Sequence, residues 1–340
     1  MTGNDYVTVS PTRLTPPPAS PWLLERPALA SRLDGSLGAR LTTVVAGAGF
    51  GKTTALSSWA AGRRCSWYTL GSEDREVGVL ANGLVEALRV RVPSLPPDTA
   101  AAAGSGRGPK LDESDIMRGR AWGALLSGAL QEHLRRDLVL VLDDVHELEG
   151  AEAALALLGE LCREAPARLH LILASRRELP FGIERMRGRG QVLELDASDL
   201  SFSREEVADL LNMSFGIADR TLSDSLHELT GGWPGAVRLA MEFLRGADEH
   251  ELTGRFEALR RGKKPLLTFL TEEVLDAEPP EVRELLSKAA CVERFTPELL
   301  EWLGVPDAAD MVGSLERRGL FLEPLTGEWG WYGSAASYAT

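Results

Sequence analysis

Through the first two hundred positions, short apolar runs alternate with stretches of helical spacing. The runs are LTTVVA (Leu41–Ala46), CSWYTL (Cys65–Leu70), LVLVL (Leu138–Leu142), RLHLILA (Arg168–Ala174) and QVLEL (Gln191–Leu195). Apolar runs of strand length separated by helices predict βαβ units and a mainly parallel sheet. A segment as continuously apolar as LVLVL suits a strand buried on both faces. A helical stretch over about 27–38 precedes the first run. Beyond Leu195 the strand pattern stops. Ser203 and Glu206 form a capping box that opens the helix SREEVADLLNM, and further helices follow to about 248.

These shifts divide the chain. Residues 1–20 are rich in Pro, Ser and Thr and are expected to be mobile. An α/β domain is expected over 21–200, a helical lid over 201–253, a winged-helix-like block over 254–326 and a tail over 327–340. The last block opens on the basic stretch GRFEALRRGKK (254–264) and ends in the apolar run Leu320–Leu325. Between the second and third strands, 92–115 reads as a flexible loop of Pro, Ala and Gly. Its GSGRGPK resembles a phosphate loop only superficially, because no strand precedes it and no Ser or Thr follows the lysine. No internal repeat is visible.

Composition narrows the classes. The 340 residues carry a formal net charge of −13, which opposes a surface built to neutralise nucleic-acid phosphates. Three widely spaced cysteines (Cys65, Cys162, Cys291) show no metal spacing and no disulfide framework, so a reducing, cytoplasmic setting is expected. No apolar run reaches the ~20 residues of a membrane span, and the N-terminus lacks a signal-peptide core.

The chemistry concentrates in VVAGAGFGKTTAL (44–56). A strand delivers the chain to a turn containing Gly47, Ala48, Gly49, Phe50 and Gly51, followed by Lys52, Thr53 and Thr54 at a helix start. Glycines permit backbone angles at which successive amides surround phosphate oxygens. The helix aims its positive end at the same point. Lys52 adds a charge for the β- and γ-phosphates, and Thr53 a hydroxyl for Mg²⁺. The strict pattern places Gly six residues before the lysine, where this chain has Ala46.

A second half is expected at the end of another buried strand, and DLVLVLDDVHEL supplies it. Asp143 is expected in the Mg²⁺ shell. Asp144 would polarise the attacking water, as general base or water orienter. His146 belongs either near the γ-phosphate or to the surface. RLHLILASRREL ends at Arg176 and Arg177, on the side where an open α/β sheet meets its ligand. Arg176 is the candidate γ-phosphate sensor; Arg177 could pair with a surface carboxylate instead.

Taken in order, AGAGFGKTT, LVLVLDDVHEL, LILASRRELP and LTGGWPGAVRLA resemble the STAND class of P-loop NTPases. The closest likeness is to the MalT-type large ATP-binding regulators of the LuxR group, over roughly residues 21 to 325. The resemblance implies a five-stranded parallel sheet of the P-loop NTPase type (ASCE), with the Arg176 strand between the Asp143 strand and the phosphate-loop strand. A helical lid and a winged-helix domain would follow. It also implies that Pro234, in Gly232-Trp233-Pro234, lies against adenine, with Arg26 and Pro27 near the base. A histidine-dependent ADP lock is in doubt, because no histidine follows His250.

What the resemblance implies functionally is an ATP/ADP switch with Mg²⁺ and slow hydrolysis, an unknown inducer or partner protein, and nucleotide-dependent homo-oligomers. The chain stops at GEWGWYGSAASYAT, without that group's sensor repeats and DNA-binding helix-turn-helix. A fast, AAA-like remodelling ATPase is the alternative; it calls for an intersubunit arginine, and Arg185, Arg187 and Arg189 form no diagnostic pattern and read as solvated surface charge. Direct DNA binding through three helices at 281–291, 297–303 and 307–318 is disfavoured by their acidity.

Overall fold

The computed structural model describes residues 9–17, 24–97, 99, 115–179, 181–216, 219–244, 251, 254, 278–292, 294–317, 322–324 and 330–334. Most of the 92–115 loop and nearly all of the basic stretch 254–264 lie outside them.

In the first compact unit, five strands form a parallel sheet: β1 (Leu41–Val45), β2 (Cys65–Thr69), β3 (Leu138–Asp143), β4 (Leu169–Ser175) and β5 (Val192–Leu195), in the order β2-β3-β4-β1-β5. β4 therefore separates β3 from β1, as expected. Register pairs Leu140 with both Ser66 and Leu171, and Thr69 with Asp143. Each predicted run is a strand to within a residue or two at its ends. β3 and β4 are buried along their whole length, the consequence of helices covering both faces.

The helices of this unit are α1 (Pro27–Asp34), α2 (Lys52–Ala60), α3 (Val77–Arg89), α4 (Asp115–His133) and α5 (Glu152–Glu164). Leu80, Leu84 and Leu88 of α3 and Leu157, Leu158 and Leu161 of α5 share one core with Leu138, Leu140 and Leu142 of β3. α4 lies unusually close to α5. A Cβ on Gly119 would sit 2.0 Å from the Ala153 carbonyl oxygen, so only glycine allows this approach.

Part of the N-terminal segment expected to be mobile is instead anchored here. A 3-10 turn (Pro11–Leu14) follows buried Val9. Arg13 donates to the Thr69 carbonyl at 2.8 Å and pairs with Asp74 and Glu73, lying over the Tyr68 ring. Asp74 is fully buried and also accepts from Tyr68 Oη. A burial of this kind rests on one arginine and one valine, which leave no periodic trace in the sequence.

The second unit contains residues 22–26, 45–51 and 196–340. Its lid helices are α6 (Arg204–Phe215), α7 (Arg220–Thr230) and α8 (Pro234–Leu244). The capping box read from the sequence forms, with Ser203 Oγ accepting from the Glu206 amide and Glu206 accepting from the Ser203 amide. Val207, Leu211, Leu226, Val237 and Ala240 make the lid core.

α9 (Pro280–Ala289), α10 (Pro297–Trp302) and α11 (Ala308–Arg317) then build the winged helix with a three-stranded sheet. In that sheet β8 (Tyr332–Ser334) pairs antiparallel with both β6 (Arg294–Phe295) and β7 (Leu322–Pro324). β8 falls where only a tail was expected. Tyr332 holds it by stacking on Phe295 and donating to Glu316 at 2.9 Å.

Candidate nucleotide site

The 45–51 segment leaves β1 and leads directly into α2, whose first residue is Lys52. Gly49 and Gly51 take φ of 75° and 72°, the left-handed region closed to most side chains, so the turn needs glycine at both positions. Ala46, in the place of the usual glycine, is fully buried and does not have a positive φ. Alanine therefore fits there without strain. Phe50 is buried as well.

In the first unit, Lys52 is only 7% exposed at the N-terminus of α2. Thr53 Oγ1 donates to Asp143 Oδ2 at 2.7 Å. The other Asp143 oxygen accepts from the Asp144 amide at 3.1 Å. Burial, with the neighbouring Asp144 charge, pushes the Asp143 carboxyl up to about 6, against the Thr53 hydrogen bond and Lys52. A buried carboxylate short of positive charge, beside a hydroxyl, suits a hard cation. Among the described residues no group of three or more His, Cys, Asp or Glu could hold a metal unaided. An ion here would therefore complete its shell with phosphate and water oxygens. Thr54 is exposed, and its carbonyl accepts from Ser57.

Asp144 sits in the left-handed region, φ 59° and ψ 41°. Backbone strain of order 1–3 kcal/mol at a non-glycine residue is tolerated where the surroundings enforce it. His146 follows, with Nδ1 3.8 Å from Asp144 Oδ1 and, among the described residues, no hydrogen-bond partner for that nitrogen. Burial pushes the imidazole down to about 4, so it is neutral at pH 7 despite Asp144; Arg176, Lys52 and Arg177 add to the depression.

Arg176 and Arg177 follow β4. Arg177 pairs with Glu149 at 2.5 Å, and its amide donates to Ser175 Oγ. Arg176, half-buried, makes no hydrogen bond or ion pair among the described residues. Its charge nonetheless reaches His146.

In the second unit, Trp233 lies on the glycine turn. Its Nε1 donates to the Ala48 carbonyl at 3.2 Å, and its ring centroid is 6.2 Å from that of Phe50. Ala48 and Trp233 also pack against the winged-helix core. Sequence reasoning placed weight on Pro234 and passed over Trp233; a large aromatic between two glycines and a proline was the available signal. Pro234 is the first residue of α8 and half-buried. The Arg26 guanidinium is occupied by the lid. It donates to the Leu200 and Ser201 carbonyls at 2.7 Å each, pairs with Glu206 at 2.8 Å and covers Phe202. Pro27 is exposed at the start of α1.

Residues 271–334 match the MalT winged helix domain family, and residues 19–176 match the family described as nephrocystin 3, N-terminal. Serine/threonine-protein kinase PknK of Mycobacterium tuberculosis is 30% identical across 95% of this chain and 30% of its own length. HTH-type transcriptional regulator MalT of Vibrio cholerae is 28% identical across 95% of this chain and 35% of its own length. The chain thus spans about a third of the length of the curated relatives it matches. Among solved structures, the Walker-type ATPase PABY2304 of Pyrococcus abyssi shares the fold, with a TM-score of 0.52 at 15% identity over 92% of this chain and 93% of its own. Glycine turn, paired aspartates, sheet order and the match to the MalT winged helix domain family together support a MalT-type P-loop NTPase.

Proposed function

We propose that this chain is an adenine-nucleotide switch, binding ATP and ADP with Mg²⁺ and hydrolysing ATP slowly. The observation that carries the reading is the Thr53–Asp143 pair beside buried Lys52 at the start of α2. That arrangement costs stability without a ligand and gains its purpose with one. Adenine rather than guanine rests on the family, since no guanine-reading Asn-Lys-x-Asp stretch is present.

In this reading, amides of Gly47–Gly51 and the Lys52 ammonium hold the phosphates. Thr53 and Asp143 hold Mg²⁺, which when bound neutralises charge on the phosphate oxygens. Asp144 orients or deprotonates the attacking water, and Arg176 reads the γ-phosphate. Trp233 links the occupied turn to the lid, so nucleotide state biases lid position. The chain works in the cytoplasm as the NTPase part of a signal-responsive LuxR-type transcriptional regulator. Its partners are further copies of itself and an inducer or partner protein, without direct nucleic-acid contact.

Turnover tests it against a fast remodelling ATPase. A rate below about one per minute supports the switch, and several per second, an ordinary enzymatic rate, would favour the remodeller. Asp144→Asn is expected to keep ATP binding while slowing hydrolysis; unchanged turnover would remove Asp144 from the reaction.

A further inference from the structure

The end of the parallel sheet at which the strands begin, opposite the phosphate-loop end, is lined with arginine. Arg40 immediately precedes β1, Arg64 precedes β2, Arg135 and Arg136 lie just before β3, Arg168 precedes β4 and Arg189 lies just before β5. Because the strands are parallel, these residues share the one end of the sheet at which all five strands begin. At the usual strand spacing of ~4.8 Å the row runs roughly 20 Å.

The charge of this row is not cancelled by side-chain pairing. Arg64 donates to the Arg136, Asp137 and Arg91 carbonyls, Arg40 to the Arg163 carbonyl and Arg168 to the Arg135 carbonyl. Peptide carbonyls fix guanidinium groups without neutralising them. Among the described residues none of the six has a carboxylate partner; Asp137 and Glu164 lie at the same end and offset part of the charge. Within the row is an open cavity of about 280 Å³ lined by Gln131, Leu134, Arg135, Pro166, Ala167 and Arg168.

The winged helix carries the complementary feature. Trp302, the last residue of α10, is 89% exposed, the most exposed large apolar side chain among the described residues. Glu298, Glu301 and Asp307 around it in the chain are exposed as well. Acids and bases balance in the first unit, so the whole net charge of −13 falls on the second. Tryptophan and arginine are the residues that dominate the energy of protein contacts, and an indole among guanidinium groups adds cation–π attraction.

We propose that Trp302 of one copy seats in the Leu134–Pro166–Ala167 cavity of a second copy, with Glu298, Glu301 and Asp307 meeting its arginine row. Such a contact is heterologous, so it propagates head to tail into rings or filaments. It does not depend on the nucleotide reading.

The test is sedimentation velocity of the full chain across protein concentration, at low and high salt, with ADP and with ATP plus Mg²⁺. Salt-sensitive self-association is expected in at least one nucleotide state. Trp302→Ala and the double change R135E/R136E should each weaken it at least about tenfold, with unfolding temperature unchanged because all three side chains are exposed. An equimolar mixture of the two variants should form dimers and nothing larger, since each supplies one intact half. A monomer at every concentration, or association indifferent to both variants, overturns the proposal. So does binding of a fluorescent single-stranded oligonucleotide that R135E/R136E abolishes while Trp302→Ala leaves self-association intact, which would assign the row to nucleic acid.

Discussion

The hydroxyl of Thr53, one residue into α2, donates to the Asp143 carboxylate at the far end of β3 at 2.7 Å, across ninety positions of sequence. The hydrogen bond joins the phosphate-loop helix to the acidic strand end. It makes the two halves of the proposed Mg²⁺ shell a single object.

Thr53→Ala removes one of the two proposed protein ligands. The expected outcome is a loss of at least about tenfold in Mg²⁺-dependent ATP affinity, the scale of one charge-assisted hydrogen bond. ADP affinity in EDTA should change little. Titration calorimetry with and without Mg²⁺ separates the two.

Asp143→Asn tests what the site costs. A carboxyl whose folded pKa is raised opposes folding once ionised. That penalty is absent at low pH, grows as pH rises from the ordinary 3.8 to about 6, and is constant above. Metal-free protein carrying asparagine should therefore be more stable at pH 7.5 by about 1–3 kcal/mol, with the gain shrinking toward zero near the bottom of that window. Urea unfolding in EDTA at several pH values reads it; a destabilised variant at pH 7.5 would mean that the carboxylate is structural.

Much of this was legible from local pattern. Parallel strands buried on both faces must be continuously apolar, so LVLVL could be placed and Asp143 located at its end. The Ser203–Glu206 box is likewise local and formed as read. What escaped depends on single long-range contacts. Trp233 meets Ala48 across the fold, Arg13 reaches Asp74, and Tyr332 completes a three-stranded sheet. None imposes a period on its neighbours. The left-handed turn at Asp144 is also invisible, because aspartate tolerates both ordinary and left-handed backbone and no neighbouring residue marks which it takes here.

Gly49→Ala meets two obstacles. Its φ of 75° costs an alanine about 1–2 kcal/mol, and the new Cβ would lie 3.0 Å from the Trp233 ring. Nucleotide affinity should fall about tenfold for the backbone cost alone. Adding Trp233→Leu should relieve the contact but leave the backbone cost. Full rescue by the second change would show that crowding alone was responsible.

Arg26→Ala separates lid architecture from base recognition. With its guanidinium committed to Glu206 and two carbonyls, the variant should lose about 2 kcal/mol of stability. ADP affinity should stay within about threefold while the lid remains folded. Thermal unfolding and ADP titration, run on the same sample, distinguish this from a residue that touches adenine.

The most direct measurement is calorimetric titration of ADP into wild-type protein and Lys52→Ala with Mg²⁺ present. A saturable binding heat in the wild type that disappears in the variant is the predicted result. No heat from well-folded wild-type protein, or equal affinity in both, would contradict the account.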